Sequence, residues 1–254
     1  MLKIPTPEAS PVRAVEPRTR PERASCARTL HRGMFAVDIA SFSARRDPAV
    51  QRFLRSSVHG IVREACRAAG LGWDGCHAED RGDGLFVIAG PEAGIDVLLE
   101  PLVVQLLGGV RRHNKLANRE AQIQLRMAVH AGYLQLDEHG ATGVALNHLF
   151  RLLDAAPLKY RLAEASGDFA LIVSHHLFEE VVAYSVGLIE ASAFTCVPVR
   201  VKETHDRGWV WLPPVHPVRV PHALEPGVSH EQLIGLLSVL IRQLDQLARH
   251  RPAG

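Results

Sequence analysis

The sequence predicts an α+β fold in which helices cover one mixed or antiparallel sheet. Strand and helix patterns alternate along the chain, and the first six follow the order β-α-β-β-α-β of a ferredoxin-like or palm core. The 254 residues, 47% hydrophobic and 22% charged, are enough for one sizeable domain. We therefore expect one sizeable domain, alone or with additional segments at its ends.

The first half of this core begins with GMFAVDIA, residues 33–40, which is typical of a buried strand. Asp47 and Pro48 then predict the N-cap and the first residue of a helix. Two short strands, at about 74–80 and 84–89, flank a tight Gly-Asp-Gly turn. This part of the pattern supplies the first helix and the first hairpin.

The second half contains longer apolar segments. A helix is expected over about 92–116, followed by a long strand in QIQLRMAVHAGYLQL. A helix then starts in ATGVALNHLFRLLDAA and is broken near Pro157, before a further helical piece to about 165. The remaining pattern predicts a strand in DFALIVS, a helix in HHLFEEVVAY, and a closing hairpin from FTCVPVRVKE and GWVWLP.

Both ends of the chain differ in composition from the core. Residues 1–28, rich in Pro, Arg and Glu, predict a disordered arm that is either a solvated tail or a contact for an acidic partner. A Pro-rich linker at 213–228 precedes an amphipathic helix at 229–250. Leucines of that helix repeat at spacings of four and three. The helix either docks on its own domain or binds a protein partner.

Composition also excludes several classes of protein. A net charge of +2 gives no support for nucleic-acid binding, and no apolar run is long enough to span a membrane. The four cysteines lack metal-binding spacing and are interpreted as free thiols, and no signal-peptide core is visible. These features lead us to expect a cytoplasmic location. No P-loop, G-x-G-x-x-G or Ser-His-Asp hydrolase motif is present.

Two aspartates are candidates for chemistry. Asp38 ends the first predicted strand, and Asp83 lies between Gly82 and Gly84 at the hairpin turn. Each alone is typical of a cap or turn residue. In a ferredoxin-like sheet, however, the first strand lies beside the following hairpin, so the two carboxylates are expected to be neighbours. Such a pair suits hard divalent cations.

A polar pair follows on a later helix. Asn147 and Arg151 are four residues apart in GVALNHLFR and therefore share one helical face. They form either a surface polar pair or a site that orients a ribose and stabilises charge developing on phosphorus.

Taken together, these stretches resemble the catalytic domain of class III adenylate/guanylate cyclases. The first family signature, D-I-x-G-F-[ST], is matched by DIASFS at 38–43, and the G-D hairpin by Gly82 and Asp83. LRMAVHAG is similar to the R-x-G-[IV]-H-x-G strand, and GVALNHLFR to the G-x-x-V-N-x-x-x-R helix. The resemblance covers residues 31–212, which is the whole predicted core.

The resemblance implies a cyclase that converts a nucleoside triphosphate to a 3′,5′-cyclic monophosphate and pyrophosphate. Asp38 and Asp83 would then hold two Mg²⁺ or Mn²⁺ ions. Asn147 would act on the ribose, Arg151 on the transition state, and Lys202 on the triphosphate. Further substrate contacts are implied for five positions in the two signatures and the hairpin: Ile39, Ser41, Phe42, Ser43 and Gly82. In this family one site takes its metal aspartates and its Asn/Arg pair from different subunits, so a head-to-tail homodimer is implied.

Base selection is implied for Glu79, four residues before the hairpin aspartate. The family carries Lys there for adenine and Glu for guanine, which favours GTP and leaves ATP and pyrimidine triphosphates open. The alternative is that Glu79 is an exposed strand residue. Ser41 replaces a family glycine, and bulky Leu149 and Phe150 replace small residues. These departures keep open a cyclase-like domain without activity, acting in nucleotide binding, protein interaction or dimerisation.

Overall fold

The computed structural model describes residues 28–44, 47–165, 167–184, 187 and 189–214. The chain divides after Pro213 into two units, and all the elements below belong to the first. The predicted linker lies outside the described residues beyond Pro214, as do residues 1–27 of the predicted arm and the whole C-terminal helix at 229–250.

The first unit is built on one eight-stranded sheet. Its strands are β1 (Arg28–Ile39), β2 (His77–Asp80), β3 (Gly84–Ile88), β4 (Leu125–Asp137), β5 (Gly140–Thr142), β6 (Phe169–Ser174), β7 (Thr195–Val201) and β8 (Thr204–Trp211). The order is β2-β3-β1-β4-β6-β8-β7, with β5 paired to β4. The first four strands pair antiparallel, and β6 joins β4 in parallel. The mixed α+β fold expected from the sequence is therefore confirmed.

Five α-helices among the described residues pack on the sheet. They are α1 (Pro48–Ala68), α2 (Leu102–Leu116), α3 (Val144–Leu153), α4 (Ala156–Ala165) and α5 (His175–Glu180). α1 and α2 contribute to an apolar cluster on one face of the sheet, and α3 and α4 to a cluster on the other. Among the described residues, no helix is long and apolar enough to cross a membrane.

The pleat of β1 decides which face receives each side chain. Phe35, Val37 and Ile39 belong to the cluster beneath α1 and α2, whereas Met34 and Ala36 belong to the cluster beneath α3 and α4. Because side chains alternate along a strand, Asp38 falls on the face covered by α3. The strand period thus brings the first candidate residue to the helix that carries Asn147 and Arg151.

Several element boundaries differ from the expected ones. β1 runs from Arg28 to Ile39, so it begins five residues before the strand that the sequence predicted over 33–40. α2 begins at Leu102 rather than near 92, because Pro91, Gly94 and Pro101 interrupt the preceding segment. Pro157 lies in the first turn of α4, where proline fits, and the chain turns just before that helix.

Candidate active site

One cavity of about 570 Å³ opens between β1, the β2–β3 turn, β5, α3 and the β7–β8 turn. Six of the residues singled out in the sequence line it: Asp38, Glu79, Asp83, Asn147, Arg151 and Lys202. Apolar and aromatic side chains complete the wall near Glu79, among them Phe86 and Phe150. The cavity therefore has both an ionic part and an aromatic part.

Asp38 is held in the cavity wall by an arginine of the neighbouring strand. Asp38 and Arg126 face each other across β1 and β4. Arg126 donates from Nε to Oδ1 at 2.7 Å and from its terminal nitrogen to Oδ2 at 2.8 Å. Burial raises the pKa of Asp38 from 3.8 to about 6, although Arg126 acts in the opposite direction. Nearby Asp83 adds to the increase, so the two carboxylates interact electrostatically.

The turn that carries Asp83 is fixed by backbone and side-chain contacts. The amide of Ile39 donates to the carbonyl oxygen of Asp83 at 3.0 Å, which ties the turn to the end of β1. Gly82 has φ +89°, and a Cβ on Gly84 would collide with the carbonyl oxygen of Val37. The glycines on both sides of Asp83 are thus required by the backbone.

The donor set fits a hard divalent cation. Asp38 and Asp83 offer carboxylate oxygens at the same cavity, and their mutual repulsion is what a bound cation would relieve. Within the described ranges, no three His, Cys, Asp or Glu side chains converge as a metal site. Mg²⁺ often binds through one or two carboxylates, with water and substrate phosphates completing its shell. Two carboxylates therefore suffice for that mode of binding.

α3 brings the polar pair into the cavity. Asn147 and Arg151 both line it, as expected for one helical face. A terminal guanidinium nitrogen of Arg151 donates to Glu203 at 3.2 Å. The Nε of Arg151 is buried and finds no hydrogen-bond partner among the described residues. A buried donor of this kind is suited to an anionic ligand.

Lys202 reaches the cavity from the two-residue turn between β7 and β8. Its φ is +50°, a left-handed conformation that is rare for a residue with a side chain. Because Val201 and Thr204 pair directly, the turn must reverse within Lys202 and Glu203. This strained backbone places the charged side chain of Lys202 at the rim of the cavity.

Glu79 projects from β2 towards β5. Its Oε1 lies 2.6 Å from Nε2 of His77 and accepts a hydrogen bond from the amide of Ala141 at 3.2 Å. Glu79 pairs in register with Phe86 on β3. The carboxylate is therefore anchored at the aromatic part of the cavity and is not simply a solvated strand residue.

The other positions implied by the resemblance lie beside the cavity rather than on its wall. Ile39 is buried in the apolar cluster beneath α1 and α2, and Phe42 packs against the same cluster. Ser41 and Ser43 are exposed, and Ser41 has φ +56°, where glycine is favoured. Gly82 shapes the hairpin turn. A substrate-binding role for these five residues remains a prediction.

Three residues of the site were not singled out by the sequence analysis. Arg126 lies in the quoted strand signature, but its pairing with Asp38 depends on the β1–β4 register. Glu203 contacts Arg151 only through the β7–β8 turn. His77 is two residues from Glu79. Side chains two residues apart lie on the same face of a strand, so the sequence could have placed His77 beside Glu79.

Solved structures of cyclase domains are similar to this chain. An adenylate/guanylate cyclase/hydrolase from Silicibacter pomeroyi matches with a TM-score of 0.55 at 18% identity, over 74% of this chain and 99% of that one. The guanylyl cyclase Cya2 matches with a TM-score of 0.51 at 16% identity, over 73% and 92%. The catalytic core of a rhodopsin-guanylyl cyclase with converted specificity, in complex with ATPαS, matches with a TM-score of 0.51 at 12% identity, over 72% and 97%. No family model and no curated protein sequence matches the chain.

The fold is that of adenylate/guanylate cyclase catalytic domains. This likeness agrees with the resemblance in the sequence motifs and extends it to the arrangement of the core. At this level of identity the likeness concerns architecture, because one fold can carry different activities. Activity, metal binding and substrate choice depend on the residues that line the cavity.

Proposed function

We propose that this protein is a nucleotidyl cyclase that converts a nucleoside triphosphate to its 3′,5′-cyclic monophosphate and pyrophosphate. One observation carries the proposal: side chains from distant parts of the chain line the same cavity. They are Asp38, Asp83, Asn147, Arg151 and Lys202. Two carboxylates, a side-chain amide and two positively charged side chains are suited to such a reaction.

Each residue has a role that follows from its chemistry. Mg²⁺ or Mn²⁺ ions held by Asp38 and Asp83 would neutralise the triphosphate and lower the pKa of the attacking 3′-hydroxyl. Asn147 orients the ribose through its amide. Arg151 stabilises the negative charge that develops on the α-phosphate oxygens, and Lys202 binds the terminal phosphates. The 3′-hydroxyl loses its proton to solvent and its oxygen forms a bond to the α-phosphorus, while the bond from that phosphorus to the leaving pyrophosphate breaks.

The active assembly that we propose is a head-to-tail homodimer. The sequence resemblance implies that the aspartates of one chain act with the Asn/Arg pair of the other. In this chain the two sets lie on different elements, β1 with the β2–β3 turn and α3, around one open cavity. Because both sets line the same cavity within one chain, the dimer rests on the resemblance alone, and mixing two inactive variants distinguishes a shared site from one formed within a single chain.

The direct test is product formation. The full chain is incubated with Mn²⁺ and, separately, ATP, GTP, CTP or UTP, and the products are identified by mass spectrometry. We expect a cyclic monophosphate from at least one substrate, and a loss of at least about a hundredfold in Asp38→Asn and Asp83→Asn. Asp74→Asn, which changes an exposed aspartate away from the cavity, is the matched control. If no substrate is cyclised, or if both site variants keep full activity, the proposal is wrong.

A second candidate function is nucleotide binding without turnover. The bidentate contact of Arg126 with both oxygens of Asp38 favours it, because a carboxylate paired in this way is less available to a cation. Equilibrium binding of a triphosphate together with absent cyclic product would support this alternative. Measurable metal-dependent turnover would exclude it.

A further inference from the structure

The aromatic end of the cavity has the features of a base-binding subsite. The rings of Phe86 and Phe150 lie edge to face with centroids 5.3 Å apart, and the guanidinium of Arg81 lies 4.6 Å from the Phe150 centroid. Glu79 pairs with Phe86 across β2 and β3. The phosphate-binding cations Arg151 and Lys202 belong to the ionic part. A nucleotide would therefore place its base near Glu79.

The two oxygens of Glu79 are not equivalent. Oε1 accepts from the Ala141 amide and lies 2.6 Å from Nε2 of His77. A carboxylate oxygen only accepts hydrogen bonds, so Nε2 carries the proton, and Oε1 has two donors. No hydrogen bond to Oε2 is formed by the part of the chain that the structure describes. Glu79 thus offers a base one oxygen rather than two.

One available oxygen distinguishes the four bases. Guanine presents a ring N–H beside its exocyclic amino group, and this pair of donors is matched by both oxygens of a carboxylate. Uracil presents one N–H flanked by two carbonyl oxygens, which a carboxylate repels. Adenine and cytosine present an exocyclic amino group beside an unprotonated ring nitrogen. A single acceptor oxygen is sufficient for these two bases.

We propose that His77 determines base selection by occupying one oxygen of Glu79, so that the site takes a base with a lone exocyclic amino donor, adenine or cytosine. This inference rests on the proposed function, and it differs from the preference for GTP that the sequence resemblance implies. The difference arises from contacts of Glu79 with β5 and with its strand neighbour, which residue identity at position 79 does not reveal.

The test measures binding, which is separate from turnover. Calorimetric titration of the full chain with the α,β-methylene analogues of ATP, CTP, GTP and UTP gives four dissociation constants. We expect the adenine or the cytosine analogue to bind about tenfold more tightly than the guanine analogue. The separate adenine and cytosine arms identify which of the two bases is preferred.

Variants connect this preference to His77. His77→Leu removes the donor, and we expect guanine binding to improve relative to the preferred base by about tenfold. His77→Gln keeps an amide donor, so it should preserve the preference of the wild type. His205→Leu changes an exposed histidine on β8 that does not line the cavity and should have no effect. Circular dichroism verifies that each variant is folded.

The possible failures are distinguishable. Tightest binding of the guanine analogue by the wild-type chain, or an unchanged selectivity in folded His77→Leu, overturns the inference and leaves the proposed cyclase intact. Failure of all four analogues to bind overturns the proposed function, and the inference with it.

Discussion

Arg151 combines a satisfied and an unsatisfied donor in one guanidinium. Its Nε is buried without a hydrogen-bond partner among the described residues, whereas a terminal nitrogen donates to Glu203 at 3.2 Å. In the proposed mechanism the carboxylate of Glu203 therefore competes with the substrate for the guanidinium of Arg151. A backbone hydrogen bond within Glu203 lowers the pKa of its carboxyl group, and the hydrogen bond from Arg151 lowers it further.

We predict that Glu203→Gln lowers the KM for the triphosphate, by about two- to fivefold, because a neutral amide competes less strongly for Arg151. The effect is small because Glu203 is largely exposed, with 72% of its side chain accessible. Steady-state kinetics of cyclic-nucleotide formation measure it. Glu138→Gln, another exposed glutamate, serves as the control and should leave KM unchanged. A higher KM in Glu203→Gln would show that Glu203 assists binding instead.

At the scale of elements, the sequence predicted the strands better than the contacts between them. The buried-strand pattern that ends at Asp38 and the Gly-Asp-Gly turn were sufficient to expect Asp38 beside Asp83, because a ferredoxin-like order places the first strand next to the hairpin. The start of α2 was misjudged, since apolar residues before Leu102 suggested a helix that prolines and glycines prevent. The bidentate contact of Arg126 required a register across 88 residues, which no local pattern supplies.

α3 is also joined to the sheet by a cluster of histidines. His130 on β4 lies 2.8 Å from the hydroxyl of Ser174, and its ring is 4.8 Å from that of His148 on α3. Burial, with the neighbouring His148 and His176, lowers the pKa of His130 from 6.5 to about 3. Burial also lowers the pKa of His148, against the opposing effect of Asp206. Both rings are therefore neutral in the folded protein near pH 7.

We predict that this cluster makes the domain sensitive to acid. Below pH 6.5 His130 is protonated in the unfolded chain, whereas in the folded chain it becomes protonated only near pH 3. The free energy of unfolding therefore falls as the pH decreases from 6.5 to about 3. The loss from His130 is on the order of 2 kcal/mol at pH 5. Urea denaturation at pH 7 and pH 5 measures it.

The control for this prediction separates the buried histidine from general acidification. His130→Gln removes the titrating ring, so its loss of stability between pH 7 and pH 5 should be smaller than that of the wild type. His139→Gln, at a histidine with 84% of its side chain exposed, should behave like the wild type. An equal loss in His130→Gln and the wild type would contradict the role of His130.

At the scale of the whole molecule, residues far apart in sequence line one cavity, which the end of β1, two hairpin turns and α3 surround. β1, the β2–β3 turn and the β7–β8 turn bring Asp38, Asp83 and Lys202 to the cavity, and α3 closes it with Arg151. The sequence resemblance implied a role for each of these four residues. The pairing of Arg151 with Glu203 depends on a turn whose position no motif encodes.

The proposed dimer predicts that two inactive variants recover activity when they are mixed. Asp38→Asn lacks an aspartate of the site and Arg151→Ala lacks its arginine, so each variant alone should be inactive. If one site takes its aspartates from one chain and its arginine from the other, a mixed dimer regains one intact site. An equal mixture, exchanged through mild denaturation and refolding, should then recover about a quarter of wild-type activity, since half of the dimers are mixed and each has one of two sites intact. Sedimentation of the mixture verifies dimer formation. A refolded, dimeric mixture without activity would place all five residues of each site within one chain, around the cavity that they already line.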